Sequence, residues 1–355
     1  MSKDYYIIPI FVPHEGCPHN CVFCNQDKIT GEQEKVNAEL VKSTIDEYLL
    51  TINNKEATIE VSFFGGTFTA IPVEKQKELL SVAKTYKESK LISKIRLSTR
   101  PDYINEQILN TLKDYAVDII ELGIQSLDEE VLKRSGRGHS EEDAIKASKL
   151  IKDYGFTLGH QIMLGLPTDN FKKDIETTKK IIAMGPDICR IYPSLVIKDT
   201  PMELMYNKGV YKPYTLEEAI EVSKTIYMML VEKDINVIRI GLQPTENINK
   251  GKDVVAGPFH PAFRELVESD IWNDVIYEII KEVKSEIIIQ VPSKDLSKLY
   301  ANKKMYFNKM KDRIESKFFI IKVNDNLKRG DFIIEFYENK MVLNLYSIIK
   351  NRRLI

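Results

Sequence analysis

Short apolar runs rich in β-branched residues alternate along this chain with longer amphipathic runs rich in charge. The apolar runs read as strands at Tyr5–Val12, Ala57–Phe64, Lys94–Ser98, Asp118–Gly123, Phe156–Leu164 and Ile188–Tyr192. The amphipathic runs read as helices at Asn37–Leu50, Val73–Tyr86, Glu106–Tyr115, Ser140–Tyr154, Phe171–Ala183 and Thr215–Lys233. Ser140 and Thr215 stand as N-caps ahead of acidic first turns. Six strand–helix units in sequence predict an α/β fold with a parallel sheet and helices outside it. Six units cannot close an eight-stranded barrel, so a partial (β/α)6 barrel is expected, with ligands at the carboxyl ends of its strands.

A further strand at Asn236–Gly241 ends this pattern. Asn247–His260 is rich in glycine and lysine and reads as a loop. Beyond it come a helix at Pro261–Lys284, a strand at Ser285–Gln290 and a charged helix at Asp295–Ser316. Three strands follow, at Phe318–Val323, Asp331–Tyr337 and Met341–Leu345. The division expected is a barrel domain over 1–260 and a small α+β domain over 261–355. With 355 residues, 43% of them hydrophobic, there is enough material for a large core. No stretch is long and apolar enough to span a bilayer, and no signal peptide is evident, so a cytoplasmic protein is expected. Net charge is −1, which argues against a strong global field for nucleic acid. The charge is uneven, however: from Ala301 onward there are thirteen Lys/Arg against six Asp/Glu. That tail is either a solvated face or a surface for RNA phosphates.

The candidate chemistry begins with Cys17, Cys21 and Cys24, spaced C-x3-C-x2-C directly after the first strand. A structural zinc and an ordinary iron–sulfur cluster each want four protein ligands. Three thiolates on a [4Fe–4S] cluster leave one iron open, and the amino and carboxylate groups of S-adenosylmethionine can chelate it. The other reading is zinc, with His14, His19 or Cys189 as fourth ligand. Disulfides are disfavoured in a chain with so few cysteines.

Successive strand ends carry further candidates. Gly65-Gly66-Thr67 closes the second strand, where glycine lets backbone approach a ligand. Ser98, Thr99, Arg100 and Asp102 close the third. By alternation Glu121, Gly123 and Gln125 share one face of the fourth, and a buried carboxylate there must be paired or ligand-bound. Met163-Leu164-Gly165-Leu166-Pro167 closes the fifth, Arg190-Ile191-Tyr192-Pro193 the sixth, and Arg239 to Gln243 follows the last.

Cys17–Gln26, Phe63–Thr69, Arg96–Ile104, Val117–Ser140, Met163–Pro167 and Arg190–Pro193 together resemble the radical SAM domain of the Elongator catalytic subunit and its bacterial relatives. A looser similarity extends to oxygen-independent coproporphyrinogen oxidases. The resemblance covers roughly residues 5–260. It implies a partial barrel of the radical SAM type, with a [4Fe–4S] cluster on Cys17, Cys21 and Cys24. It implies that Gly65, Gly66 and Thr67 meet the methionine part of S-adenosylmethionine. Ser98, Thr99 and Gln125 would meet its ribose or carboxylate, and Met163, Gly165, Leu166 and Tyr192 would border its adenine. An external electron donor such as flavodoxin or ferredoxin is also implied.

The Elongator subunit continues into an acetyltransferase domain, for which too few residues remain here. No further cysteine cluster suggests a second iron–sulfur centre. A small molecule is therefore the expected substrate. The chain looks similar to queuine lyase, which would cleave a C–N bond of the deazapurine base queuine, with Glu121 or Asp102 facing the guanine-like edge. Arg190, Arg239 and Gln243 are further substrate candidates from their places at strand ends. A tRNA-modifying enzyme of the Elongator type, or a non-catalytic metal-binding protein, are the alternatives.

Overall fold

The computed structural model describes residues 4–12, 17, 19–25, 36–242, 248–249, 251–314 and 318–351. Its main sheet has seven parallel strands in the order β1-β2-β3-β4-β5-β6-β8. These are β1 (Tyr5–Val12), β2 (Thr58–Gly65), β3 (Lys94–Thr99), β4 (Ile119–Gln125), β5 (Thr157–Leu164), β6 (Ile188–Pro193) and β8 (Asn236–Ile240). Each strand of this sheet lies parallel to the one before it, which requires a crossover connection between them. The sheet is a curled half-barrel. Every sequence-expected unit is present, with bounds displaced by no more than a few residues.

Helix starts follow local chemistry. Asn37, Asn105 and Asn170 each accept a backbone N–H of the third helical residue ahead. Ser140 with Asp143 and Thr215 with Glu218 form reciprocal capping boxes. The helix Leu216–Glu232 buries Ile220, Ile226 and Leu230 against the barrel and the segment beyond it.

Two short strands lie outside the expected pattern. β7 (Val196–Ile197) pairs antiparallel with β9 (Val254–Ala256), inside the stretch read as a loop. Strands of two and three residues leave no period in the sequence. The helices Glu129–Arg134, Pro201–Asn207 and Leu345–Lys350 are also additions, each too short for a clear amphipathic pattern. The expected single helix at Asp295–Ser316 is two, Ser293–Leu299 and Ala301–Asp312, which meet at Tyr300, and the second is kinked near its start, where Asn302, Lys303 and Lys304 take positive φ.

The second sheet joins β10 (Ile287–Val291), β11 (Phe319–Val323), β12 (Asp331–Phe336) and β13 (Asn339–Asn344) in the order β11-β10-β12-β13. The helix Phe263–Ile280 is buried along much of its length and packs on the helices Leu216–Glu232 and Ala301–Asp312. One hydrophobic cluster runs from Ile8 in β1 to Ile349 near the end, so core contacts cross the expected division at 260/261. No helix among the described residues is long and apolar enough to cross a membrane.

Candidate active site

The cysteine loop leaves the end of β1 and is clamped from two sides. Val22 N–H donates to the Ser135 carbonyl (3.0 Å), and Met202 N–H donates to the Val22 carbonyl (2.8 Å). Within the loop, Cys24 N–H closes a turn onto the Cys21 carbonyl (3.0 Å). Gly136 and Gly138 take positive φ, and a side chain at Gly138 would collide with the His19 ring. The sequence Arg-Ser-Gly-Arg-Gly-His is thus shaped to lie against the cysteines. Cys21 is buried, Cys17 and Cys24 are half-buried, and none of the four cysteines forms a disulfide.

Arg137, held between those two glycines, brings Nη1 to 3.6 Å from the Cys21 sulfur and donates from Nη2 to the Gly123 carbonyl. Arg100 makes a two-pronged contact with Asp102 (2.9 Å each) and donates to the Arg137 carbonyl. Asp102 also faces His19 at 3.7 Å. Burial, foremost, lowers the Arg137 pKa from its usual range. Burial and the two guanidinium groups pull His139 down to about 3, so it is neutral at pH 7. Arg137 Nε, Arg100 Nη1 and both His139 ring nitrogens are buried with no hydrogen-bond partner. Two guanidinium groups and one carboxylate leave a net positive pocket with unmet donors beside Cys21.

Such a pocket fits an anionic group. A cluster on three thiolates is one, and the carboxylate of S-adenosylmethionine is another. A mononuclear zinc fits less well. Among the described residues, no three His, Cys, Asp or Glu side chains gather where one ion could sit. A [4Fe–4S] cube instead takes each thiolate on a different iron. Cys189 is wholly buried in the helix-facing core of β6, on the face opposite Arg190 and the barrel interior, and burial pushes its thiol up to about 12. His14 lies outside the described residues.

The remaining cofactor candidates line neighbouring strand ends. Gly65 has φ +106°, a side chain there would come within 2.9 Å of the Val12 carbonyl, and Gly66 N–H donates to that same oxygen (2.8 Å). The ends of β1 and β2 therefore meet directly. Thr67 is buried and precedes the turn Phe68–Ala70. Ser98 is half-buried on the inner face of β3, whereas Thr99 points the other way and shares a hydrogen bond with Thr69 (2.6 Å). Its side chain braces a turn. Gln125 has φ +68° at a bulge in β4. Its amide oxygen accepts from Gln161 Nε2 (3.3 Å). Met163 and Tyr192 are half-buried on β5 and β6, and Gly165 and Leu166 are buried in the turn after β5. Tyr211 donates to the Gly165 carbonyl (2.7 Å), fixing that turn from outside.

The substrate candidates meet a different fate. Glu121 receives Arg190 Nε on one oxygen (2.6 Å) and Arg96 Nη1 on the other (3.2 Å). Arg96 continues to Glu60 (2.7 and 2.8 Å), which also accepts from Ser62 and Tyr5. Gly159 leaves the room for this ladder, since a Cβ there would lie 2.6 Å from Glu121 Cγ. Glu121 is thus a saturated member of a buried ion network, and Asp102 is committed to Arg100. Arg190 is spent on Glu121 and donates to the Tyr192 hydroxyl (3.2 Å). Neither carboxylate is left to face a guanine-like edge. Gln243 lies outside the described residues.

Residues 11–181 match the radical SAM superfamily, and residues 186–273 match the radical SAM C-terminal domain. The chain belongs to the radical SAM superfamily. It is similar to the tRNA uridine(34) acetyltransferase of Methanocaldococcus infernus, with 32% identity over 61% of this chain and 48% of that protein. To Elongator complex protein 3 of Homo sapiens the identity is 27%, over 61% of this chain and 48% of that protein. The solved archaeal Elp3 from Methanocaldococcus infernus, with an N-terminal deletion, superposes with a TM-score of 0.59 at 26% identity. That superposition covers 75% of this chain and 62% of the other. This radical SAM chain spans about half the length of the curated relatives it matches.

Sequence reasoning assigned no role to Arg137 or Gln161. The signal for Arg137 was present: an arginine bracketed by two glycines, directly after a strand–turn–helix. Gln161 pairs with Gly123 and so falls on the inner face, but its hydrogen bond to Gln125 crosses a bulge that the sequence does not mark.

Proposed function

We propose that this chain is a radical SAM enzyme whose substrate is a nucleoside within tRNA. The observation that carries the chemistry is the cysteine loop clamped against the cationic, unsatisfied Arg137–Arg100 pocket at the mouth of the half-barrel. What supports the substrate is the tRNA-directed naming of the relatives to which the chain is similar. No relative reported above is named for queuine, and the carboxylates suggested for that base are already paired.

In this reading Cys17, Cys21 and Cys24 hold a [4Fe–4S] cluster. Held there, the cluster with S-adenosylmethionine and one electron from an external donor would supply radical hydrogen abstraction from the substrate. The chain's own work is binding, orientation and exclusion of water. Arg137 offers its free Nε to the cofactor's carboxylate. The paired amides of Gln125 and Gln161 face the ribose, and the Gly65-Gly66 backbone admits the methionine part at close range. The turn Gly165–Leu166, pinned by Tyr211, and the Tyr192 ring border the adenine.

The test uses the full chain, reconstituted with iron and sulfide under anoxic conditions and supplied with unmodified tRNA carrying deuterated uridine. Deuterium appearing in 5′-deoxyadenosine supports the reading. Cofactor cleavage without deuterium transfer from any tRNA would remove the substrate and leave the radical chemistry standing.

A further inference from the structure

The charges inside the half-barrel alternate from strand to strand and then fail to balance. Glu60 on β2, Arg96 on β3, Glu121 on β4 and Arg190 on β6 form a chain of opposite signs that sums to zero. On β8, Arg239 stands in register with Arg190, so two guanidinium groups neighbour each other on the inner face. Regular alternation would not put Arg239 there. A bulge does: Cys189 pairs with Val237 and Arg190 with Arg239, leaving Ile238 as the extra residue that turns Arg239 inward.

Arg190 is occupied by Glu121 and Tyr192. Arg239 donates to no acceptor among the described residues, although it is only half-exposed. Burial is the first cause lowering its pKa; the like charges of Arg190 and Arg264 add to it, and Tyr192 and Glu121 oppose it. The carboxylate Glu268 cannot serve it, being held by Arg264 (2.9 Å) and Lys298 (3.0 Å). Glu121 also acts on Arg239 through space but is already held by Arg190 and Arg96, so among the described residues no unshared carboxylate balances this half-buried cation, a placement that is costly unless an anion arrives. Tyr192 accepts from Arg190, which leaves its own proton available to a second acceptor.

We propose that Arg239, with the Tyr192 hydroxyl near it, receives an anionic group of the substrate at the open edge of the half-barrel. The source of that group rests on the tRNA reading above, in which it is a backbone phosphate next to the target nucleoside. The anion site itself rests only on the excess of interior positive charge among the described residues and on the inward turn of Arg239 at the bulge.

Two arms keep these apart. Inorganic phosphate is titrated into the full chain by calorimetry. Saturable binding that weakens at least tenfold in Arg239→Gln and survives in Arg239→Lys supports the site. Equal binding in wild type and Arg239→Gln, or none in wild type, overturns it. In the second arm tRNA affinity is measured against salt concentration. Loss of one phosphate contact lowers the slope of log K against log salt by about 0.7–0.9 in Arg239→Gln, and that result assigns the anion to RNA. An unchanged slope overturns that assignment. Failure of wild type to bind any tRNA overturns the tRNA reading, and the phosphate arm still judges the site.

Discussion

Replacing Arg96 by methionine probes the ion ladder that fills the half-barrel. Arg96 is 3% exposed, Glu60 is wholly buried and Glu121 is 3% exposed. Methionine keeps most of the stem volume and removes the charge. Glu121 retains Arg190 at 2.6 Å, so its loss is partial. Glu60 retains only hydroxyl donors, Ser62 and Tyr5, and becomes a buried carboxylate with no cation. Removing one partner of a buried pair costs about 3–5 kcal/mol. With an unfolding entropy of about 2.1 cal/mol/K per residue, ~0.75 kcal/mol/K for a chain this long, that is a fall in Tm of about 4–7 °C. Scanning calorimetry at pH 8 measures it. Arg96→Met combined with Glu60→Gln should recover most of the loss, because the amide still accepts from Ser62 without a charge. A single variant melting within about 1 °C of wild type, or a double variant no better than the single, refutes the reasoning.

Three further outcomes follow from the same geometry. Asp169 and Asp174 share a buried site beneath the Gly165 turn; burial, foremost, raises both, Asp169 to about 6. A folded pKa raised above the unfolded one gives stability that is complete below about pH 4 and lost as pH rises through about 6. Asp169→Asn should therefore raise Tm at pH 8, by an amount corresponding to roughly 2–3 kcal/mol, and change little at pH 4; no difference between the two pH values would contradict it. Gly159→Ala should cost about 1–3 kcal/mol by pushing against Glu121 Cγ and Ile188, read as a lower urea midpoint, and a neutral result would mean the ladder can shift. Ser140→Ala removes the capping box of helix Glu141–Asp153 and should cost about 1 kcal/mol, seen as faster amide exchange in its first turn.

The half-barrel was legible because each of its units repeats the same two periods, and because caps such as Ser140 and Thr215 mark the helix starts. β7 and β9 were not, since so few residues carry no period. The cysteine trio stood out as a candidate from spacing alone, but the Arg137 guanidinium beside Cys21 did not. The fate of Glu121 was not: whether a buried carboxylate faces a ligand or a cation depends on Arg96 and Arg190, which lie far from it in sequence and reach it only across the sheet. Arg239 was placed at a strand end by sequence, but its inward turn depends on a bulge that no alternation rule predicts. Thr99 and Ser98 are adjacent, and the pleat alone separates one that faces the barrel from one that braces a turn.

The most direct measurement is the yield of 5′-deoxyadenosine when the anoxic, iron-loaded and chemically reduced chain is given S-adenosylmethionine. A three-thiolate cluster beside Arg137 predicts product from wild type and none from Cys21→Ser. Wild type that carries iron yet forms no product, or Cys21→Ser that forms as much as wild type, would contradict the account.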